Sequence, residues 1–197
     1  MVPEPIPQSI DSKDAPQLGN VLPQLMSHPI YSFVTCWNWK AASLSAVLRV
    51  PVYIGTTIRY GWQAVSVAAM VEAVFSAGVA GVYAALTQAI RYAEPQSIVA
   101  LLLLVILPAI TLALDTLVHY GMRTPNLATA VSVSLVVSVL SSAFNWYSMR
   151  RGTLLVGAEA RPFGSDILAL PVLIARFVIE PFVILRRSLK SWCAAMF

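Results

Sequence analysis

Three side chains that could hold a proton or a cation, Glu72, Asp115 and His119, stand in stretches otherwise almost free of charge. Asp115 and His119 are four residues apart, one helical turn on one face, and Thr111 prolongs that stripe by another turn. Carboxylates and an imidazole are costly inside a membrane, so they are paired with one another or carry a function. Three chemistries follow: a proton or cation route, a metal site, or a hydrogen-bonded lock that fixes helix register. No metal is assigned, because helical di-metal sites draw Glu-x-x-His pairs from several helices, whereas here Asp115 precedes His119 by four positions. His28, in a Pro-rich polar stretch, reads as solvated.

The lock is favoured over the route. A pathway across the bilayer needs polar groups in both halves, and away from the Glu72, Asp115 and His119 depth Tyr83, Gln88 and Asn145 are the only candidates. No catalytic residue and no cofactor is assigned either. Gly-x-Ser-x-Gly, Walker and dinucleotide patterns are absent, and Gly78-Val79-Ala80-Gly81 in an apolar helix is packing material. Cys36 and Cys193 lie near opposite ends, which gives neither a disulfide framework nor a CxxC pair.

A second pattern concerns packing. Ala69, Ala73, Ala77, Gly81, Ala85 and Ala89 recur every four residues, placing small side chains along one ridge where a partner backbone can approach closely. A matching row, Ala130, Ser134, Ser138 and Ser142, carries hydroxyls that bond to their own helix or to a neighbour. The two rows are expected to pack on each other within the chain rather than form a subunit interface.

The elements that must position these residues are membrane helices. With 58% hydrophobic residues against 11% charged and a mean hydropathy of +0.74, the chain has too little polar surface for a water-soluble globule. Segments 65–89, 97–119 and 127–147 are each long and apolar enough to cross a hydrocarbon core of about 30 Å, and the few residues between them make neighbours antiparallel. Residues 43–58 are a candidate fourth span, apolar but short and interrupted by Arg49 and Pro51. Residues 167–185 carry Arg176 and Glu180, so an amphipathic helix lying in the interface is preferred. The fold expected is an all-α integral membrane bundle of three transmembrane helices with amphipathic flanks. Its parts are a Pro-rich extended tail (1–30), an aromatic and basic amphipathic or spanning segment (31–63), the bundle (64–150) and a C-terminal interfacial region (151–197). The tail's early proline residues and first charge at Glu4 do not read as a secretory signal.

A net charge of +4 spread over the chain argues against nucleic acid and suits anionic lipid head groups. Arg150 and Arg151 after the third span, with Arg186, Arg187 and Lys190 near the C-terminus, are the head-group candidates. Lys and Arg counts favour the side bearing Arg91 and Arg150 as cytoplasmic in a multi-pass cell or inner membrane. The function expected is a non-enzymatic subunit that packs into a larger membrane assembly or onto itself. The alternatives are a small proton or cation transporter using the acidic and histidine cluster, and a membrane-embedded enzyme acting on lipid.

Overall fold

The computed structural model describes residues 15–28, 30, 31, 34 and 36–196. Within the last helix, side chains are described up to residue 183 and at 186. The chain forms two units, Met1–Ala160 and Arg161–Phe197, and no strand occurs among the described residues.

The first unit holds a short helix α1 (Leu18–Ser27) and four long ones: α2 (Trp39–Tyr60), α3 (Trp62–Ile90), α4 (Gln96–Gly121) and α5 (Leu127–Arg150). All four are long and apolar enough to cross a membrane. The segment expected as a candidate span is therefore a full helix, because Pro51 is accommodated inside it and a 3-10 turn, Ile58–Tyr60, extends it. Consecutive helices alternate in direction, with α2 packed on α3 and α5, and α4 on α5 and α3. The Arg91 loop, the start of α2 and the end of α5 thus share one end of the bundle, called here the Arg150 end; Arg59 and Arg123 mark the other.

Two of the domain boundaries move. Part of the Pro-rich stretch, Leu18–Ser27, is helical rather than extended: α1 tolerates Pro23 and buries Leu18 against Ile90, Ala93, Val99 and Leu103. Backbone bonds from Leu18 to Glu94 (2.9 Å) and from Glu94 to Pro16 (2.9 Å) fasten it to the Arg150 end; residues 1–14 and 29 lie outside the described residues. Residues 151–160 belong to the bundle, not to a C-terminal region. Leu154 and Leu155 are buried, the Leu154 carbonyl accepts from Asn38 (2.8 Å), and Gln88 exchanges two hydrogen bonds with the Val156 backbone.

Two helices contain a five-residue π-helical stretch, Ser76–Ala80 in α3 and Leu102–Ile106 in α4. The second has a local cause. The Leu107 N–H bonds to Leu102, five residues back, so the Leu103 carbonyl would next await the N–H of residue 108, which is proline. The Tyr83 hydroxyl of α3 donates to that carbonyl instead, satisfying a group that lipid could not. The second unit is one helix, α6 (Phe163–Met196), with Pro171 and Pro181 inside it. It is longer than the segment 167–185 expected from hydropathy.

Candidate functional site

Arg49 organises the site. It lies near the middle of α2, buried, where a lone guanidinium would be untenable. Its Nε donates to Glu72 Oε1 of α3 (2.6 Å), its Nη2 to Asp115 Oδ2 of α4 (2.5 Å) and its Nη1 to Ser138 of α5 (3.2 Å), so one side chain ties all four spanning helices together. Gly61 separates α2 from α3, and Arg49 and Glu72 lie 12 and 11 residues to either side of it, which puts them at nearly one depth in an antiparallel pair.

Around this ion-pair core the remaining polar atoms are ordered by type. Ser76, in the π-helical stretch of α3, donates to Glu72 Oε1 (2.5 Å). The Tyr53 hydroxyl donates to Asp115 Oδ2 (2.7 Å), and its ring stacks on His119 at 3.9 Å between centroids and 8° between planes. His119 Nδ1 pairs with the Thr124 hydroxyl at 2.9 Å. That leaves one side of the centre lined by Glu72 Oε2, Asp115 Oδ1 and His119 Nε2, with Nε2 3.4 Å from the first and 3.6 Å from the second. Asp115 Oδ1 has no hydrogen-bond donor among the described residues. Glu72, Asp115 and His119 are each fully buried.

On the other side of Arg49 is a cavity of about 40 Å³, room for roughly three water molecules. It is lined by Arg49, Ser76, Thr111 and Ser138, and beyond them by Ser142 and Asn145 toward the Arg150 end. Tyr83 also lines it. Polar groups therefore continue from the buried centre into the half of the bundle where the sequence offered few. The α5 serine residues fill the gap, because their row turns toward α2 and the cavity.

The residues named from the sequence are thus distributed as follows. Glu72, Asp115 and His119 meet, as their depths required. Thr111 does not join them; its hydroxyl donates to the Pro108 carbonyl of its own helix (3.1 Å) and it lines the cavity. The two small-residue rows do not lie face to face along their length. The longest contact of α3 is with α2. Along the α3 row Gly81 and Ala85 are buried and Ala69, Ala73, Ala77 and Ala89 half-buried; the Trp37 indole covers Gly81, and Ala89 packs against the cluster of Leu18, Ile90, Val99 and Leu103. On α5, Ala130 packs with Tyr53 and Ala68, while Ser134, Ser138 and Ser142 are buried beside the polar interior. Of these hydroxyls, Ser138 accepts from Arg49.

At the Arg150 end, Arg150 lies over the rings of Tyr92 and Trp146 and Arg151 over Tyr147. Arg91 is ion-paired with Glu159 (2.5 Å). Arg186 is exposed, whereas the side chains of Arg187 and Lys190 lie outside the described residues. Arg49, Tyr53, Ser76 and Thr124 were not singled out as site residues from the sequence. The signal for Arg49 was present in its near-equal separation with Glu72 from Gly61; Tyr53 follows one turn later on the same face. Compared with family models, curated proteins and solved structures, the chain finds no match.

Proposed function

We propose that this multi-pass membrane protein moves a small cation, using the buried centre of Arg49, Glu72, Asp115 and His119. The observation that carries the reading is the cavity. A register lock needs only paired charges, yet here Arg49 borders a cavity whose wall mixes the hydroxyls and amide of Ser76, Thr111, Ser138, Ser142 and Asn145 with Phe75, Val79 and Ala80, and which leads from the centre toward the Arg150 end. Two carboxylates against one guanidinium give the centre a formal excess of negative charge, which attracts a cation and repels anions. The Lys and Arg bias favours the Arg150 end as cytoplasmic, and in that orientation the centre is nearer the opposite face.

The test is cation flux into vesicles reconstituted with the full chain, read with proton-sensitive and metal-sensitive dyes. Wild type should exceed empty vesicles, and Asp115→Asn should lose the flux while the protein remains folded. Flux equal to that of empty vesicles removes transport by the isolated chain. The centre would then be a lock in a non-enzymatic subunit, and proteins copurifying in mild detergent would identify its assembly.

A further inference from the structure

We propose that the cation is a divalent transition-metal ion of the zinc class, bound by Glu72 Oε2, Asp115 Oδ1 and His119 Nε2. This assignment rests on the reading of the centre as a cation site and names its ligand.

Each of the three residues has its far atom engaged and its near atom turned to a common point. Glu72 Oε1 accepts from Arg49 and Ser76. Asp115 Oδ2 accepts from Arg49 and Tyr53. His119 Nδ1, hydrogen-bonded to Thr124, holds the ring with Nε2 facing the two carboxylates. This is the outer arrangement that metal-binding imidazoles and carboxylates use to fix orientation and tautomer.

The distances favour an ion over a direct hydrogen bond. Two ligand atoms each about 2.1 Å from one tetrahedral ion stand about 3.4 Å apart. Nε2 lies 3.4 Å from Glu72 Oε2 and 3.6 Å from Asp115 Oδ1, and one ligand atom from each of the three residues falls within 4.8 Å of the other two. Charge-assisted N–H···O bonds are shorter, about 2.7–2.9 Å, so a proton on Nε2 would serve both carboxylates poorly and leave Asp115 Oδ1 without a close donor. A divalent ion changes the formal charge of the centre from −1 to +1, a reversal without an increase in magnitude.

The donor set also limits which ion binds. One imidazole and two carboxylates contain no sulfur, which disfavours copper(I), and three donors are too few for calcium, which takes six to eight oxygens. Three protein ligands leave a further position for water or for exchange, as in sites that release or react their metal.

Tag-free full-length protein in detergent micelles, titrated with zinc chloride and followed by calorimetry and elemental analysis, tests the assignment. About one ion per chain should bind, with donors at about 2.0–2.2 Å and no sulfur in the zinc-edge X-ray absorption spectrum. His119→Ala and Glu72→Gln should weaken binding tenfold or more, and Thr124→Val, which alters only the partner of Nδ1, about tenfold. His28→Ala should leave binding unchanged. Thermal unfolding of the metal-free Thr124→Val protein shows whether it folds, which keeps the test independent of any instability in the ligand variants. No saturable binding, sulfur in the coordination shell, or equal affinity in the His119 and Glu72 variants overturns the assignment. Proton or monovalent-ion flux without zinc binding would overturn it while leaving cation transport standing. Zinc binding with these ligands but without flux would keep the site and remove transport.

Discussion

A guanidinium held among membrane helices is tolerable only if its charge is met there, and Arg49 is met by two carboxylates and a hydroxyl. Removing one partner from a buried ion pair costs about 3–5 kcal/mol, whereas replacing all members with apolar side chains of similar volume is often neutral or stabilising. Arg49→Leu should therefore sharply lower the unfolding temperature. The triple variant Arg49→Met, Glu72→Met, Asp115→Leu should recover most of that loss while abolishing flux. Thermal unfolding and vesicle flux, measured on the same preparations, check both halves. If the triple variant regained stability and retained flux, the centre would have no part in transport. Tyr53→Phe keeps the ring stacked on His119 but removes the donor to Asp115, and should lower stability by about 1–3 kcal/mol.

Between elements, lipid supplies no hydrophobic drive for helices to associate, so close approach and hydrogen bonds carry the packing. At Gly81 a Cβ would fall 1.7 Å from Trp37 Nε1, while at Gly78 nothing lies within 4 Å. Gly81→Ala should therefore reduce the yield of folded protein, and a smaller residue at Trp37 should restore it. Gly78→Ala should be neutral or slightly stabilising, by up to about 1 kcal/mol from helix propensity. Size-exclusion profiles after detergent extraction separate the three variants; equal profiles would show that this contact does not limit assembly. The α3 to α4 contact has its own test. Tyr83→Phe strands the Leu103 carbonyl at a cost of about 1–3 kcal/mol, and adding Pro108→Ala supplies an N–H two residues beyond the π-helical stretch. The double variant should be more stable than Tyr83→Phe alone. A double-mutant cycle by thermal unfolding measures the coupling, and additive effects would refute the link between the proline and the tyrosine.

At the scale of the whole molecule, four spans return the start of α2 to the Arg150 end, where Asn38 bonds to Leu154 and α1 is fastened to Glu94. Arg59, Arg123 and Arg150 are exposed and suit single-cysteine labelling, after Cys36 and Cys193 are replaced. In intact cells an impermeant reagent should label positions 59 and 123 and spare 150. Labelling of 150 in place of 59 and 123 would invert the orientation, and labelling at the exposed position 39, at the start of α2, together with 59 and 123 would return the bundle to three spans.

Hydropathy along the chain was enough to determine a helical membrane protein, three of its spans to within a few residues, and the meeting of Glu72, Asp115 and His119. Span length and alternating direction are one-dimensional properties, set by the thickness of the bilayer and by links too short to cross it. Segment 43–58 stayed ambiguous because Arg49 weighs heavily against insertion when counted alone. Its cost is offset by Glu72 and Asp115, which are distant in sequence, and only the packed bundle brings them within 2.6 Å. The direction of the α5 serine row was likewise decided by tertiary structure. A row of small residues suits any neighbour, and here the guanidinium and the cavity beside it selected the hydroxyls as their wall.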